Sequence, residues 1–370
     1  MNALLRRRGL AAVAALLAAA APLAATPASA ADRISDGQWY VDFLDLDVAH
    51  KVSRGDGVRI ALIDTGVDAR HPDLKGSVVA GADFSREGPG DGLTDTDGHG
   101  TSMASLIAGN GQIRGVAPDA TIVSIRASNG TSSSATSIGQ AVSWAADHDI
   151  PVISISSAHD SDDLVLQQAV QAAVAKDIVV VAGAGNTPRS SRVAYPAAYP
   201  GVIAVAGVGK KGEHSATSVT GPELALSAPS DMISTAYRDG QRVVATGTSN
   251  ATALVAGTAA LIRSKYPNLP ASEVVRLLTE TATDKGTPGR DSEFGYGVVN
   301  PVRALADAKA AKPSSQAQPS DSAAAVPTAI AAPGAEIGAG TLLALVLCGV
   351  LAVLAVVAAI VVFARSRRHK

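Results

Sequence analysis

Asp64, His99 and Ser249 are the residue types that carry out nucleophilic acyl transfer: a carboxylate to orient an imidazole, an imidazole to take a proton, and a hydroxyl to attack. Ser249 follows Gly247-Thr248 and opens a segment whose apolar spacing (Ala253, Leu254, Gly257, Ala260, Leu261) predicts a buried helix. There its hydroxyl stands free of the helix ladder, and nearby amide N–H groups face any negative charge that develops. Taken alone, the position also suits a serine that only caps the helix. Asp64 ends Val58-Arg-Ile-Ala-Leu-Ile63, a buried-strand pattern that delivers a carboxylate to the C-terminal edge of a sheet, where open α/β sheets place their sites. His99 sits between Gly98 and Gly100, which allows close approach to the ring. Asn186 ends the run Val179-Val-Val-Ala-Gly-Ala-Gly-Asn186 and could donate its side-chain N–H to an oxyanion. Each has a plainer explanation as well: Asp64 and Asn186 as turn residues, His99 as a surface loop residue.

The elements that must position these residues follow from hydropathy. Strand-like runs recur at 58–63, 121–125, 151–155, 178–182 and 202–206, with helical patterns at 102–108, 137–147 and 162–176. This alternation predicts an α/β fold, a doubly wound, mostly parallel sheet with helices on both faces. Shorter strands are expected near Leu224 and Met232. Helices then follow from Ser249 and over 271–282, and Asn300-Pro301 reads as an N-cap with proline at the first helical position. Residues 31–57, with Trp39-Tyr40, form an N-terminal arm packed on the main domain of 58–310.

The two ends carry targeting signals. Arg6-Arg7-Arg8, an apolar run from Leu10 and Ala28-Ser29-Ala30 have the layout of a secretory signal peptide over residues 1–30. Residues 311–336 shift to Ala, Pro, Ser and Gln, a flexible linker. Residues 337–364 lack any charge and are followed by Arg365, Arg367, Arg368 and Lys370, the pattern of a C-terminal transmembrane helix with a cytoplasmic basic tail. Both signals give one topology: a single-pass protein of the cell membrane, domain outside, C-terminus inside. The single cysteine, Cys348, lies in the apolar span, so the exported domain has neither a disulfide nor a cysteine metal site. A net charge of −2 without a basic stripe argues against nucleic acid as a partner.

Ile63-Asp-Thr-Gly-Val67 with His71-Pro-Asp-Leu74, Asp97-Gly-His-Gly-Thr-Ser102, Ala184-Gly-Asn186 and Gly247-Thr-Ser-Asn-Ala251 resemble the signatures of the subtilisin-like serine proteases, in that family's order. The resemblance covers about residues 38–305. It implies a serine endopeptidase acting on polypeptides, with Ser249 as nucleophile, His99 as general base and acid, Asp64 as orienting carboxylate and Asn186 as oxyanion-hole donor. Val152-Ile-Ser-Ile-Ser-Ser157 is similar to the family's substrate strand, which implies substrate-binding roles for Ser154 and Ser156. Gly183 and Ala184 match positions near the pocket for the residue before the cut.

The chain departs from the family pattern at Asn250 and Ala253, beside the expected nucleophile, which loosens the expected helix start. It also has Ser154 in place of the usual asparagine. The loop between Ala108 and Gly115 is too short for the calcium-binding segment of many relatives, and Asp73 alone matches a calcium ligand, so neither metal nor other cofactor is expected.

The overall layout is similar to the mycosins, membrane-anchored subtilases associated with type VII secretion, which implies components of such a system as partners. The alternative is a catalytically weak subtilase-fold module that serves binding or assembly at a secretion system. Gly207-Val-Gly-Lys-Lys-Gly212 fits a dinucleotide fingerprint in spacing but lacks a helix start after it, and reads as a turn.

Overall fold

Along the central strands, side chains alternate between two apolar layers. In β1 (Arg59–Asp64), Ile60 and Leu62 enter one buried cluster while Ala61 and Ile63 enter the other. Both faces are therefore covered, which is why the run reads as continuously apolar. The structure, a computed structural model, describes residues 30–307 except 88–89 and 131–132. The expected signal peptide, the linker and the transmembrane segment lie outside the described residues, apart from the last signal residue, Ala30. Among the described residues no helix is long and apolar enough to cross a membrane.

The chain enters through three short helices, α1 (Ala30–Asp36), α2 (Tyr40–Phe43) and α3 (Leu46–Ala49). Tyr40 is fully buried and its hydroxyl donates to the Arg114 carbonyl at 2.7 Å, and the Trp39 indole donates to the Asp231 carbonyl at 3.0 Å. After β1 come β2 (Val78–Asp83), α4 (His99–Ala108), β3 (Thr121–Arg126), α5 (Ala135–Asp147), β4 (Val152–Ile155), α6 (Leu164–Ala175), β5 (Val179–Gly183), β6 (Val202–Val208) and β7 (Leu226–Pro229). The seven strands form one sheet in the order β2-β3-β1-β4-β5-β6-β7, every pair parallel. Helices α5 and α6 cover one face, and α4 packs on the other. The order reverses between β1 and β4, so a crevice opens outside their C-terminal ends.

A hairpin of β8 (Ile233–Tyr237) and β9 (Gln241–Ala245) follows, then α7 (Thr248–Lys265), α8 (Ala271–Glu280) and α9 (Pro301–Asp307). Fifteen of the 18 residues of α7 are buried, so this helix runs through the core on the α4 side. The Asn300 side chain caps α9 by accepting the Arg303 N–H at 2.9 Å. Two strands are absent from the sequence reading. The edge strand β2 is partly exposed and has a bulge between Ala80 and Ala82, so it shows neither alternation nor a solid apolar run. In the hairpin, Asp239 and Gly240 both have positive φ, the Asp-Gly turn signal that announces β9. The Gly207–Gly212 segment is a turn: the Gly209 N–H donates to the Glu213 carbonyl, and no helix opens there.

Candidate active site

Asp64 is the last residue of β1 and His99 the first of α4. They meet because Gly100 lacks a side chain: a Cβ there would lie 2.0 Å from the Gly66 carbonyl oxygen. The helix starts at His99, three residues earlier than its hydropathy suggests, because Asp95 organises the turn. One oxygen of the buried Asp95 carboxylate accepts the Gly98 N–H (2.7 Å) and the Thr65 hydroxyl (2.9 Å). The other accepts the Thr101 N–H (2.9 Å) and hydroxyl (2.6 Å). The Thr65 hydroxyl in turn accepts the Gly100 N–H at 2.9 Å. Asp95 thus ties the end of β1 to the start of α4. The sequence reading gave it no role in the site; its signal is an aspartate four residues before a Gly-flanked histidine.

The result is a hydrogen bond of 2.7 Å between His99 Nδ1 and Asp64 Oδ1. Asp64 is buried, and its Oδ1 also accepts the Thr65 N–H at 2.8 Å; its Oδ2 has no hydrogen-bond partner. The His99 ring is about a third exposed (37%). Its partial burial would lower the imidazole pKa, but the charge and hydrogen bond of Asp64, with Asp97 and Asp95 behind it, outweigh that and raise it to about 9.

Ser249 is the second residue of α7, where its N–H has no partner within the helix. It lines the same cleft as Asp64, His99 and Asn186, a cavity of about 700 Å³. Ser249 is half-buried, and no hydrogen bond joins its Oγ to His99 among the described residues. Asn186 lies three residues beyond β5. Its Oδ1 accepts the Thr248 N–H at 2.9 Å, which fixes the amide and leaves Nδ2 as the donor available to the cleft.

Asn250 is buried, and its Nδ2 donates to the Ser230 carbonyl at 2.9 Å and the Ala245 carbonyl at 3.1 Å. The start of α7 is therefore pinned to the ends of β7 and β9, and the residue expected to loosen it ties it down. Ser156 lines the cleft just past β4, with its hydroxyl unpartnered. Ser154, Gly183 and Ala184 do not line it. Ser154 is fully buried within β4, Ala184 is in the apolar layer under α5 and α6, and a Cβ on Gly183 would face Thr252 and Thr248 of α7. Gly183 and Ala184, being adjacent, face opposite sides of the sheet and each is covered by the layer it meets, while Ser154 lies too far inside β4 to reach the crevice beyond the strand's end. Cleft residues to which the sequence reading gave no role include Asp97, Arg189, Tyr237 and Thr217.

Asp73, the one sequence match to a calcium ligand, already has its carboxylate engaged. Both Asp73 carboxylate oxygens are held by the Arg242 guanidinium, at 2.7 and 2.8 Å, and Oδ1 also accepts the Gln112 N–H at 2.6 Å. Among the described residues no cluster of three or more His, Cys, Asp or Glu side chains could hold an ion.

The subtilase family, Peptidase S8, matches residues 55–297. A thermostable alkaline protease of Halalkalibacterium halodurans is 37% identical over 272 residues, covering 72% of this chain and 73% of that protein. Mycosin-3 of Mycobacterium tuberculosis is 36% identical over 336 residues, covering 73% and 72%. Among solved structures, a serine protease MycP1, described as an essential component of the type VII (ESX-1) secretion system, superimposes with a TM-score of 0.67 at 34% identity, over 76% of this chain and 90% of that one. The chain belongs to the subtilase family of serine-type peptidases, with mycosins among its relatives.

Proposed function

We propose that the chain is an endopeptidase that cuts polypeptides through Ser249, His99 and Asp64. The observation that carries this is the 2.7 Å bond between His99 and Asp64 in a cleft shared with Ser249 and Asn186. Ser249 Oγ attacks the substrate carbonyl as His99 Nε2 takes its proton, and Asp64 steadies the imidazolium through Nδ1. The oxyanion is held by Asn186 Nδ2 and the Ser249 N–H. His99 then passes its proton to the leaving amine, and water hydrolyses the acyl ester with His99 as base. The absent Ser249–His99 hydrogen bond forms on substrate binding, since such contacts are often open in an empty site.

The signal peptide and the charge-free segment at 337–364 support a domain displayed outside the cell membrane on a single C-terminal span. The mycosin likeness, in layout and in structure, supports placing the enzyme beside a type VII secretion system. Labelling of the full-length chain with a fluorophosphonate tests the triad. Labelling that disappears in both Ser249→Ala and His99→Ala is expected. Failure of the folded wild-type chain to label would instead leave a binding or assembly module.

A further inference from the structure

The charged side chains lining the cleft are Asp64, Asp97, Arg189 and, when protonated, His99. Asp64 is committed to His99. Among the described residues Asp97 and Arg189 have no ion-pair partner; Asp97 Oδ1 accepts only the His99 N–H, at 3.2 Å. Two unpaired charges of opposite sign therefore stand on the walls of a site built to hold an extended peptide.

Arg189 is placed by the chain that carries Asn186. The Ser190 N–H donates to the Asn186 carbonyl at 2.9 Å, closing a turn over 186–190, and the buried Ser190 packs against Gly185. The Arg189 backbone is thus fixed three residues from the amide that faces the oxyanion, while its side chain is exposed and makes no hydrogen bond among the described residues. On the function proposed above, Asn186 holds the carbonyl oxygen of the residue whose bond is cut. That residue's side chain leaves the neighbouring Cα, beside the 186–190 turn, whose five residues all line the cleft. An extended strand sends successive side chains to opposite sides, so the preceding residue points away from that turn; the cleft's other unpaired charge, Asp97, stands two residues before His99.

We propose that Arg189 is a specificity-determining residue that selects an acidic side chain on the residue supplying the attacked carbonyl, while Asp97 disfavours an acid at the position before it. A guanidinium pairs with a carboxylate through two parallel N–H bonds, so Asp or Glu gains where a neutral side chain gains nothing. Water and salt reach an exposed side chain, which limits the preference to about tenfold and makes it weaken as ionic strength rises.

The inference rests on the proposed catalytic reading, and the experiment separates the two. The purified full-length chain is given two peptide series, one varying only the residue before the cut (Asp, Glu, Leu, Lys) and one varying the residue before that. Cleavage is followed by mass spectrometry as kcat/KM. The wild type is expected to favour Asp and Glu about tenfold over Leu in the first series, less at high salt, and to disfavour them in the second. Arg189→Gln should level the first series and Arg189→Glu should invert it in favour of Lys. Fluorophosphonate labelling at the wild-type rate in both variants would show an intact triad. A wild type that cuts Leu peptides as well as acidic ones, or an Arg189→Glu enzyme that keeps the acidic preference, overturns the assignment alone. Failure to cut any peptide overturns the catalytic reading and this inference with it.

Discussion

His99 has three carboxylates around it, Asp64 at 2.7 Å with Asp97 and Asp95 farther off, and the pH behaviour of the site follows from them. An imidazole can take the proton of Ser249 only when neutral, so a pKa raised to about 9 places the catalytic rise in the alkaline range. kcat/KM is expected to climb with pH to half its maximum near that value, measured with an uncharged peptide; a rate already flat above neutral pH would contradict the arrangement. Asp97→Asn removes one carboxylate and should move the midpoint down. The folded pKa lies above the ordinary histidine value of about 6.5. The ion pair therefore stabilises fully below that value and is lost as pH rises through about 9. At Asn186 the expectation concerns rate. The amide is held by Thr248, and Asn186→Ala should lower kcat by roughly two to three decades, a magnitude carried over from the oxyanion-hole asparagine of a subtilisin. Near-normal KM for the residual activity would show that the loss falls on the transition state.

At the scale of elements, the site depends on how β1, α4 and α7 are held together. The hairpin of β8 and β9 is tied to the segment after β1 by the Arg242–Asp73 pair, in which Asp73 is only 1% exposed. Burial alone would raise the Asp73 pKa, but Arg242 and the Gln112 N–H hold it below the usual carboxylate range. Removing the guanidinium leaves a buried, uncompensated charge. Arg242→Ala should therefore cost about 3 kcal/mol, seen as a lower urea midpoint with an unchanged slope. Because this carboxylate is held by an arginine, a chelator should change neither the midpoint nor the rate of peptide hydrolysis. Loss of either on adding EDTA would show that a divalent ion is part of the enzyme. The Asn250 contacts to Ser230 and Ala245 act in the same way on α7, joining its first turn to the strands that flank the cleft.

At the scale of the whole molecule, the described residues form the peptidase domain and its arm. Trp39, Tyr40, Leu44 and Leu46 lie in the same buried cluster as α4 and α7, so the arm is part of the core on the α4 side. The proposed attachment to the cell surface involves residues outside the described ones, 337–370. Removing residues 337–370 should release an active protease into the medium, whereas the full chain should stay with the membrane fraction after carbonate washing. A full-length chain recovered in the soluble fraction would remove the anchor from this account.

The sequence by itself determined the order and type of most elements. Fully buried parallel strands must be apolar throughout, and helices between them must carry a stripe, so β1, β3, β4, β5 and β6 are visible as runs at 58–63, 121–125, 151–155, 178–182 and 202–206. Asp64, His99, Asn186 and Ser249 were legible because each stands at the end of an element among small residues, in an order that matches one family. Tertiary structure alone decided which neighbours face the cleft. Ser154 and Ser156 look equivalent in sequence, yet one is fully buried within β4 and the other lies just past the strand's end in the cleft wall. Arg189 carries no local pattern, and the motif that contains Asp97 gives its side chain no task, since only folding shows that both charges stand unpaired in the cleft. Asn250 shows the same limit: its effect on α7 depends on carbonyls of Ser230 and Ala245, which packing alone brings within reach.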